Sequence, residues 1–450
     1  MEIIDNSASL PLGSRIDVVG NANNFPLMLV HGLRKIGYDA HLHLTMQGQL
    51  NAPENRYPYY AGNYPEWIHD WRHFKYSLWY DEDMTQTVLD ACRSADVLVL
   101  NYDAVNLGVY AQKPFFCLLT GTDLLTHADP DSFLESIKLN PNPEQWDIIN
   151  RSQARQAAEF CLRQREAIRM ASGYSFFAYG LLPEAEKLLD GIGAKQEFRA
   201  SLLMTEVDEL TFEPRTRNTD APLNIIMGSR LNWDKTSKPK LTDLDYKGND
   251  IFIRAFARFI KAGHKATLTL FRKGMHIAQT ESLINALGIA DNINWHEECS
   301  QTDFLNAIRS SDIMADAIGE AHIGMVALDS MTIGRPVIAS APNYKPWGWD
   351  RPIPLCHSVN EEDVLNWLLK LAEDKNFYDK IALDARKFAE DNFSPEFAAR
   401  KVLAKLSSGR PPDSEAKLFD ILRQCRLQNK RDHNTFMNWQ KNANALKTNS

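Results

Sequence analysis

The chain has 450 residues, of which 44% are apolar and 24% are charged, and its net charge is −8. This length suits two domains of about 200 residues each, with enough apolar residues for a core in both. The acidic balance argues against nucleic-acid binding, which depends on a basic surface that neutralises phosphates. The scattered cysteines are typical of reduced thiols, and neither a signal-peptide pattern nor a long apolar run occurs. We therefore expect a cytoplasmic chain without a membrane span.

The first predicted elements form one strand–helix–strand unit. Residues 15–20 are a β-branched run typical of a buried strand, and Pro26 suits the first turn of the helix that follows. Residues 39–44 are the next predicted strand. Residues 45–90 then break the alternation with ten tyrosine, tryptophan and phenylalanine side chains among prolines and asparagines. This segment is predicted to be an aromatic insertion.

The α/β alternation resumes after the insertion and then repeats. Strand-like runs recur along both halves of the chain, and those at 96–100 and 114–119 are continuous apolar runs typical of parallel strands buried on both faces. They lie at residues 96–100, 114–119, 224–227, 266–271, 292–295 and 336–339. Two successive series predict an α/β fold with two Rossmann-like domains that face a central cleft.

The predicted domain boundaries follow from these two series. The N-terminal domain spans residues 1–208 and includes the insertion at 45–90, and a proline-containing linker spans 209–222. The C-terminal domain spans residues 223–410. Residues 411–450 form a helical tail, with the N-terminal domain as its candidate packing partner.

Two cations follow the first strand of the second domain. Ser229 and Arg230 come directly after that strand, and Lys247 lies further along. In open parallel sheets, ligands bind beyond the carboxyl ends of the strands. A guanidinium and an ammonium that converge there suit a diphosphate leaving group. On this pair alone, two ordinary surface cations are the favoured interpretation.

A third candidate segment spans residues 319–339. Gly324 precedes a predicted helix, whose free N–H groups and dipole favour an anion. Asp329, in the second turn, suits hydrogen bonds from a ribose diol. The plain alternative is that Asp329 is a polar helix residue and Glu320 a loop charge.

This segment carries a resemblance to a known family. It is similar to the nucleotide-binding segment of the family 4 retaining glycosyltransferases of GT-B fold (glycosyl transferases group 1), where a helix reading roughly FGLVxLEAMAxGxPVIAS follows an acidic loop. Residues 323–331 here correspond to that helix and residues 334–340 to its exit. Residues 206–214 and 292–297 also resemble family segments. The likeness covers most of residues 14–406.

The resemblance assigns roles to individual residues. It implies that Asp329 binds the ribose and that Arg230 and Lys247 bind the phosphates, although 16 residues separate these two cations, more than is usual. The remaining residues implied on the donor side are Ser229, Glu297, Gly324, Met325 and Val326. Those implied for the acceptor or cleft loops are Asn23, Asn24, Thr120 and Asp123.

Two positions depart from the family pattern. Ala321 stands where the family has its first acidic residue, and the candidate catalytic carboxylate, Glu320, is one place away. Thr120 stands where many members have a cleft histidine. The asparagine-rich loop with Asn23 and Asn24 is equally well interpreted as a structural turn, and the aromatic insertion as a local core.

The resemblance implies a retaining hexosyl transfer from a nucleoside-diphosphate sugar to a glycan or lipid-linked acceptor, as in polysaccharide biosynthesis. It implies neither a metal nor another cofactor, so the acidic pair Asp81 and Asp83 is not taken as a metal site. A peripheral contact with the inner membrane face is kept open.

Two alternatives remain at this stage. One is a nucleotide-sugar epimerase of the same fold, which would change the donor without an acceptor. The other is a catalytically silent subunit that scaffolds a partner transferase. Thr120 and Ala321 favour the silent subunit, whereas Arg230, Lys247 and Asp329 oppose it. The silent subunit predicts no binding of nucleoside diphosphates.

Overall fold

The computed structural model describes most of the two predicted domains. It covers residues 10–74, 82–139, 142–216, 218, 221–236, 241, 244–319, 323–341, 343–407, 431, 434, 435 and 438. The predicted tail at 411–450 therefore lies almost wholly outside the described residues.

The first domain is built on a parallel sheet. Within the described part of the chain, this sheet has seven strands in the order β3-β2-β1-β4-β5-β6-β7. Val18 of β1 lies between Leu42 of β2 and Val99 of β4, which fixes the register at the centre. The strands are β1 (Arg15–Val19), β2 (Asp39–Leu44), β3 (Ile68–Asp70), β4 (Val97–Asn101), β5 (Phe115–Leu118), β6 (Gly173–Phe176) and β7 (Arg199–Ser201).

The second domain repeats this design. Its described residues form a six-stranded parallel sheet in the order β10-β9-β8-β11-β12-β13. In both sheets the order reverses beside the first strand, which creates a crevice at the carboxyl ends of the strands. The strands are β8 (Leu223–Met227), β9 (Ala266–Phe271), β10 (Ile293–His296), β11 (Ile313–Ala315), β12 (Val337–Ala339) and β13 (Cys356–His357).

Helices cover both faces of each sheet, as expected for parallel strands whose side chains are buried on both sides. Asn360 caps α12, since its side chain accepts a hydrogen bond from the Asp363 N–H. The helices are α1 (Phe25–Lys35), α2 (Pro53–Arg56), α3 (Glu82–Ala91), α4 (Thr122–Leu125), α5 (Pro130–Ser136), α6 (Ile148–Met170), α7 (Pro183–Ile192), α8 (Asn249–Lys261), α9 (Ile277–Leu287), α10 (Gln301–Ser310), α11 (Met325–Ile333), α12 (Glu361–Glu373), α13 (Lys375–Asn392) and α14 (Pro395–Ser407).

The last helix returns to the first domain. The side chains of Ala398, Val402 and Leu406 on α14 belong to the same buried cluster as β1 and β2. A Cβ on Gly32 of α1 would overlap the Pro395 carbonyl, so the two helices meet backbone to backbone. Residues 395–407, predicted as part of the second domain, therefore pack on the first.

The predicted fold class is confirmed. Two parallel α/β sheets stand in succession along the chain, and most predicted strands and helices agree with the observed ones within one to three residues. The segment at 45–90 differs from expectation, because it supplies the edge strand β3, the short helix α2 and the crossover helix α3. No helix among the described residues is long and apolar enough to cross a membrane.

Candidate functional site

The carboxyl ends of β8 and β11 hold a lysine–glycine pair against a loop of the second domain. Gly248 has a φ of +56° and precedes α8, and a Cβ there would overlap the carbonyl oxygen of Ile318. The Ile318 N–H donates to the Lys247 carbonyl at 3.0 Å. These contacts fix the Lys247 backbone at the edge of the sheet, which explains why glycine must follow the lysine.

The N-terminus of α11 lies at the same edge. Gly324 is the N-cap residue, and no side chain of its own caps the helix. Instead, its N–H donates to Asp316 Oδ2 at 3.3 Å, and a Cβ on Gly324 would lie 2.9 Å from that oxygen. Asp316 directly follows β11. The chain therefore supplies its own carboxylate at the position where the helix dipole favours an anion.

Lys247 and Asp316 interact electrostatically. Burial lowers the pKa of Lys247, although the Asp316 carboxylate partly opposes this shift. Burial also raises the pKa of Asp316, against the opposing effect of Lys247. Both shifts follow from the desolvation of a charge in a low-dielectric environment. The Lys247 ammonium also donates to the Leu244 carbonyl at 2.6 Å.

The other predicted donor-side residues differ in their exposure to solvent. Arg230 is half-exposed and lies 3.3 Å from Asp245, while the buried hydroxyl of Ser229 accepts a hydrogen bond from Asn249 at 3.2 Å. Val326 is close enough to Gly228 that a Cβ on the glycine would meet its side chain. Glu297 is largely exposed and pairs with Arg272, at a distance of 3.4 Å.

Asp329 forms a buried ion pair between the two domains. The Nη1 and Nη2 atoms of Arg56 donate to its two carboxylate oxygens at 3.1 and 2.9 Å. The Thr205 hydroxyl donates to the same carboxylate at 2.6 Å. Asp329 and Arg56 are only 5% and 7% exposed, so both charges are removed from water. Both oxygens of the predicted ribose ligand are thus already bonded within the chain.

The asparagine-rich loop before α1 is largely structural. Asn23 and Asn24 adopt left-handed backbone with φ of 53° and 60°. Asn21 Nδ2 donates to Asn24 Oδ1 at 2.8 Å, and both side chains are buried. Asn24 also reaches the second domain, where its amide donates to Gln301 Oε1 at 3.3 Å. Asn23 is exposed, which leaves its amide on the surface of the loop.

The loop after β5 is held by its own aspartate. The Asp123 carboxylate accepts hydrogen bonds from the N–H groups of Thr120, Gly121 and Leu124, at distances between 2.8 and 3.1 Å. Leu244 of the second domain packs against this loop, with its Cδ1 at 3.7 Å from a Cβ placed on Gly121. Leu244 therefore contacts the first domain across the cleft.

The aromatic insertion packs mainly as a local core. Tyr57 and Tyr60 are buried in the core cluster of the first domain, and the Tyr57 hydroxyl donates to Glu206 Oε1 at 2.6 Å. Tyr59 is more than half exposed. The aromatic residues at 76, 79 and 80, like Asp81 of the acidic pair, lie outside the described residues.

A separate cluster of Asp17, His43 and Cys92 is a hydrogen-bond network. His43 Nε2 lies 3.3 Å from Asp17 Oδ2 and 3.8 Å from Cys92 Sγ, a spacing that would also suit a metal ion. However, Trp71 Nε1 donates to His43 Nδ1 at 3.1 Å. Because an indole nitrogen only donates, Nδ1 carries the lone pair and Nε2 the proton. Nε2 is then a donor to Asp17 and is unsuited to bind a metal.

The loop before α11 is described only in part. Glu320, the predicted catalytic carboxylate, and Ala321, the departure from the family pattern, lie outside the described residues. On the donor side, the described residues bring Lys247, Asp316 and Gly324 together, with the Arg56–Asp329 pair further along α11. Sequence reasoning missed Asp316 and Arg56. The charged residue that ends the apolar run 313–315 was a usable signal for Asp316, whereas Arg56 had none.

Residues 242–346 match the family described as Glycosyl transferases group 1. The chain carries a domain of this family. The matched residues run from just before Lys247 to beyond β12, so they contain the lysine–glycine pair, Asp316 and α11. No curated protein matches the chain.

The similarity to solved structures covers both domains and therefore extends beyond the segment that matches group 1. Anabaena Alr3699/HepE in complex with UDP and glucose is 14% identical, with a TM-score of 0.55 over 88% of this chain and 100% of that one. Sucrose-phosphate synthase from Thermosynechococcus elongatus is 13% identical, with a TM-score of 0.55 over 86% and 97%. A glycosyltransferase from Rickettsia africae is 12% identical, with a TM-score of 0.52 over 92% and 99%. At these identities the likeness establishes the GT-B fold alone.

Proposed function

We propose that this protein transfers a hexosyl group from a nucleoside-diphosphate sugar to a glycan or lipid-linked acceptor, with retention of configuration and without a metal. The observation that carries the proposal is the convergence of Lys247 and the N-terminus of α11 at one edge of the sheet, within the segment that matches the glycosyltransferase family. A solved structure of similar fold holds UDP-glucose, which supports a donor of this class.

In this proposal the cations act on the leaving group. Negative charge grows on the diphosphate as its bond to the sugar breaks, and Lys247, Arg230 and the N-terminus of α11 stabilise that charge. The departing phosphate takes the proton of the acceptor hydroxyl as the acceptor oxygen bonds to the anomeric carbon. The first-domain loops that bear Asn23 and Thr120 face the acceptor side, and closure of the cleft excludes water.

Thermal-shift measurements with UDP, GDP, ADP and dTDP, in the presence of EDTA, test the donor site. One nucleotide is expected to stabilise the wild type, by about 2.7 kcal/mol at a hundredfold excess over Kd. Lys247→Ala should lose this effect, while the exposed lysine variant Lys265→Ala should keep it. Equal stabilisation of Lys247→Ala and wild type would contradict the assigned phosphate site.

Transfer itself needs a separate assay. The protein is incubated with sugar derivatives of the nucleotide identified above and with glycan acceptors. The product should have the anomeric configuration of the donor, as read from the NMR signal of its anomeric proton. Inversion would refute retention, and loss of product on addition of EDTA would refute metal independence.

A second candidate, a catalytically silent subunit that scaffolds a partner transferase, is favoured by one observation. The carboxylate that would bind ribose is already engaged by Arg56 and Thr205. The two candidates differ in nucleotide binding, because a silent subunit should not be stabilised by any of the four nucleotides.

A further inference from the structure

The short helix α2 of the first domain is docked against the nucleotide side of the second domain. Asn55 Oδ1 accepts a hydrogen bond from the backbone N–H of Gln301 at 3.1 Å, in the first turn of α10. The Thr302 hydroxyl donates to the Asn55 carbonyl at 3.2 Å. Arg56, the next residue, reaches α11 and binds both oxygens of Asp329. Two successive residues of α2 thus engage two helices of the other domain.

The Arg56–Asp329 contact has a specific geometry but does not satisfy every N–H group of the guanidinium. The bidentate geometry is the strongest that an arginine forms with a carboxylate. Yet Arg56 Nε is buried and has no hydrogen-bond partner among the described residues. A buried guanidinium with one unsatisfied N–H pays a desolvation penalty that a fully bonded pair avoids. The pair is therefore suited to open when a competing ligand offers Asp329 other donors.

Space is present beside α2. A cavity of about 410 Å³ borders the helix at the boundary between the two domains. Its lining comes from the first domain and from Ser300 of the second domain. The lining residues are Gly48, Gln49, Ala52, Glu54, Asn55, Arg72 and Ser300. The boundary between α2 and the start of α10 is therefore not fully packed.

We propose that α2 is an autoinhibitory contact, in which Arg56 withholds Asp329 from the ribose of the donor until α2 leaves α10 and α11. The inference rests on the proposed function, because it takes Asp329 as the ribose ligand. Ribose hydroxyls and Arg56 are both hydrogen-bond donors and compete for the same two oxygens. The apparent nucleotide affinity is then the intrinsic affinity multiplied by the fraction of molecules in which α2 is released.

The test measures nucleotide affinity in variants of α2. Isothermal titration with UDP, GDP, ADP and dTDP is made on wild type, Arg56→Ala, Asn55→Ala and the control Glu54→Gln. Glu54 is on the same helix but is exposed, and its side chain bonds Tyr64 of its own domain. We expect Arg56→Ala to bind its nucleotide at least tenfold more tightly than wild type, Asn55→Ala severalfold more tightly, and Glu54→Gln equally well.

Asn55→Ala keeps the proposal falsifiable if Arg56→Ala does not fold, since it leaves Asp329 paired. Amide hydrogen exchange gives a second readout, because exchange at residues 53–57 should accelerate on nucleotide binding. If wild type binds nucleotide and both variants bind it equally or more weakly, the autoinhibitory contact is refuted and the proposed function stands. If neither wild type nor any variant binds a nucleotide, both are refuted.

Discussion

Asp316 and Gly324 are joined by a hydrogen bond of 3.3 Å from the glycine N–H to the aspartate carboxylate, at the N-terminus of α11. The bond places a carboxylate of the chain at the site where an anionic ligand would meet the helix dipole. Asp316 also supports the charge of Lys247, against the effect of burial. The same residue thus stabilises the start of α11 and competes with a phosphate for that position.

Replacement of Asp316 by asparagine should therefore strengthen nucleotide binding. The amide oxygen can still accept the Gly324 N–H, but the charge that repels a diphosphate is removed. We expect the Kd of the bound nucleoside diphosphate to fall about threefold to tenfold, a change of about 1 kcal/mol. Asp312→Asn, at the opposite end of β11, is the matched control and should leave the Kd unchanged. Weaker binding by Asp316→Asn would contradict the repulsive role.

Nucleotide affinity should depend on the charge of Lys247. Because burial lowers the pKa of Lys247 from its usual 10.5, the ammonium loses its proton at a lower pH than an exposed lysine does. Affinity then falls as pH rises, and it starts to fall at a lower pH than it would beside an exposed lysine. Lys247→Arg, which stays charged throughout, should show a flatter profile when Kd is measured against pH. Identical profiles for the two proteins would count against a phosphate contact by Lys247.

Gly248 should tolerate no side chain. Its left-handed backbone costs a non-glycine residue about 1–2 kcal/mol, and overlap with the Ile318 carbonyl adds about 1–3 kcal/mol. Gly248→Ala is therefore expected to lower the free energy of unfolding, measured in urea, by the sum of both effects. Gly263 also has a positive φ of +94° but open space around it, so Gly263→Ala should show the backbone cost alone.

Acid should destabilise the first domain through His127. Its ring is enclosed by Tyr102, Phe133 and Phe160, and burial lowers its pKa to about 4. Since the unfolded chain binds the proton more tightly, the contribution of neutral His127 is complete above pH ~6.5 and is lost progressively as pH falls to ~4. The loss amounts to about 3 kcal/mol over this window.

His127→Phe isolates that contribution. The variant should lose less stability than wild type between neutral and acidic pH, as measured by urea unfolding at each pH. A pH dependence equal to that of wild type would mean that the pKa of His127 does not differ between the folded and unfolded states.

The fold was predictable because its determinants are local. Continuous apolar runs such as residues 115–118 are typical of strands buried on both faces, and the helices between such strands favour parallel neighbours. The position of Gly324 directly before a helix was also visible in the sequence. What the order of elements did not reveal was the return of α14 to the first domain, because an amphipathic helix packs equally well on either sheet.

The candidate site also combines features that the sequence determined with features that only the tertiary structure decided. By itself, the sequence determined that the start of α11 follows a strand of the second series, and the family resemblance implied that Lys247 shares a site with it. Only the tertiary structure decided the partner of Asp329, which is Arg56, 273 residues earlier in the chain. An arginine in an aromatic segment has the same local pattern whether it faces water or a carboxylate. Pairing across two domains depends on how their surfaces meet, and no local periodicity encodes that contact.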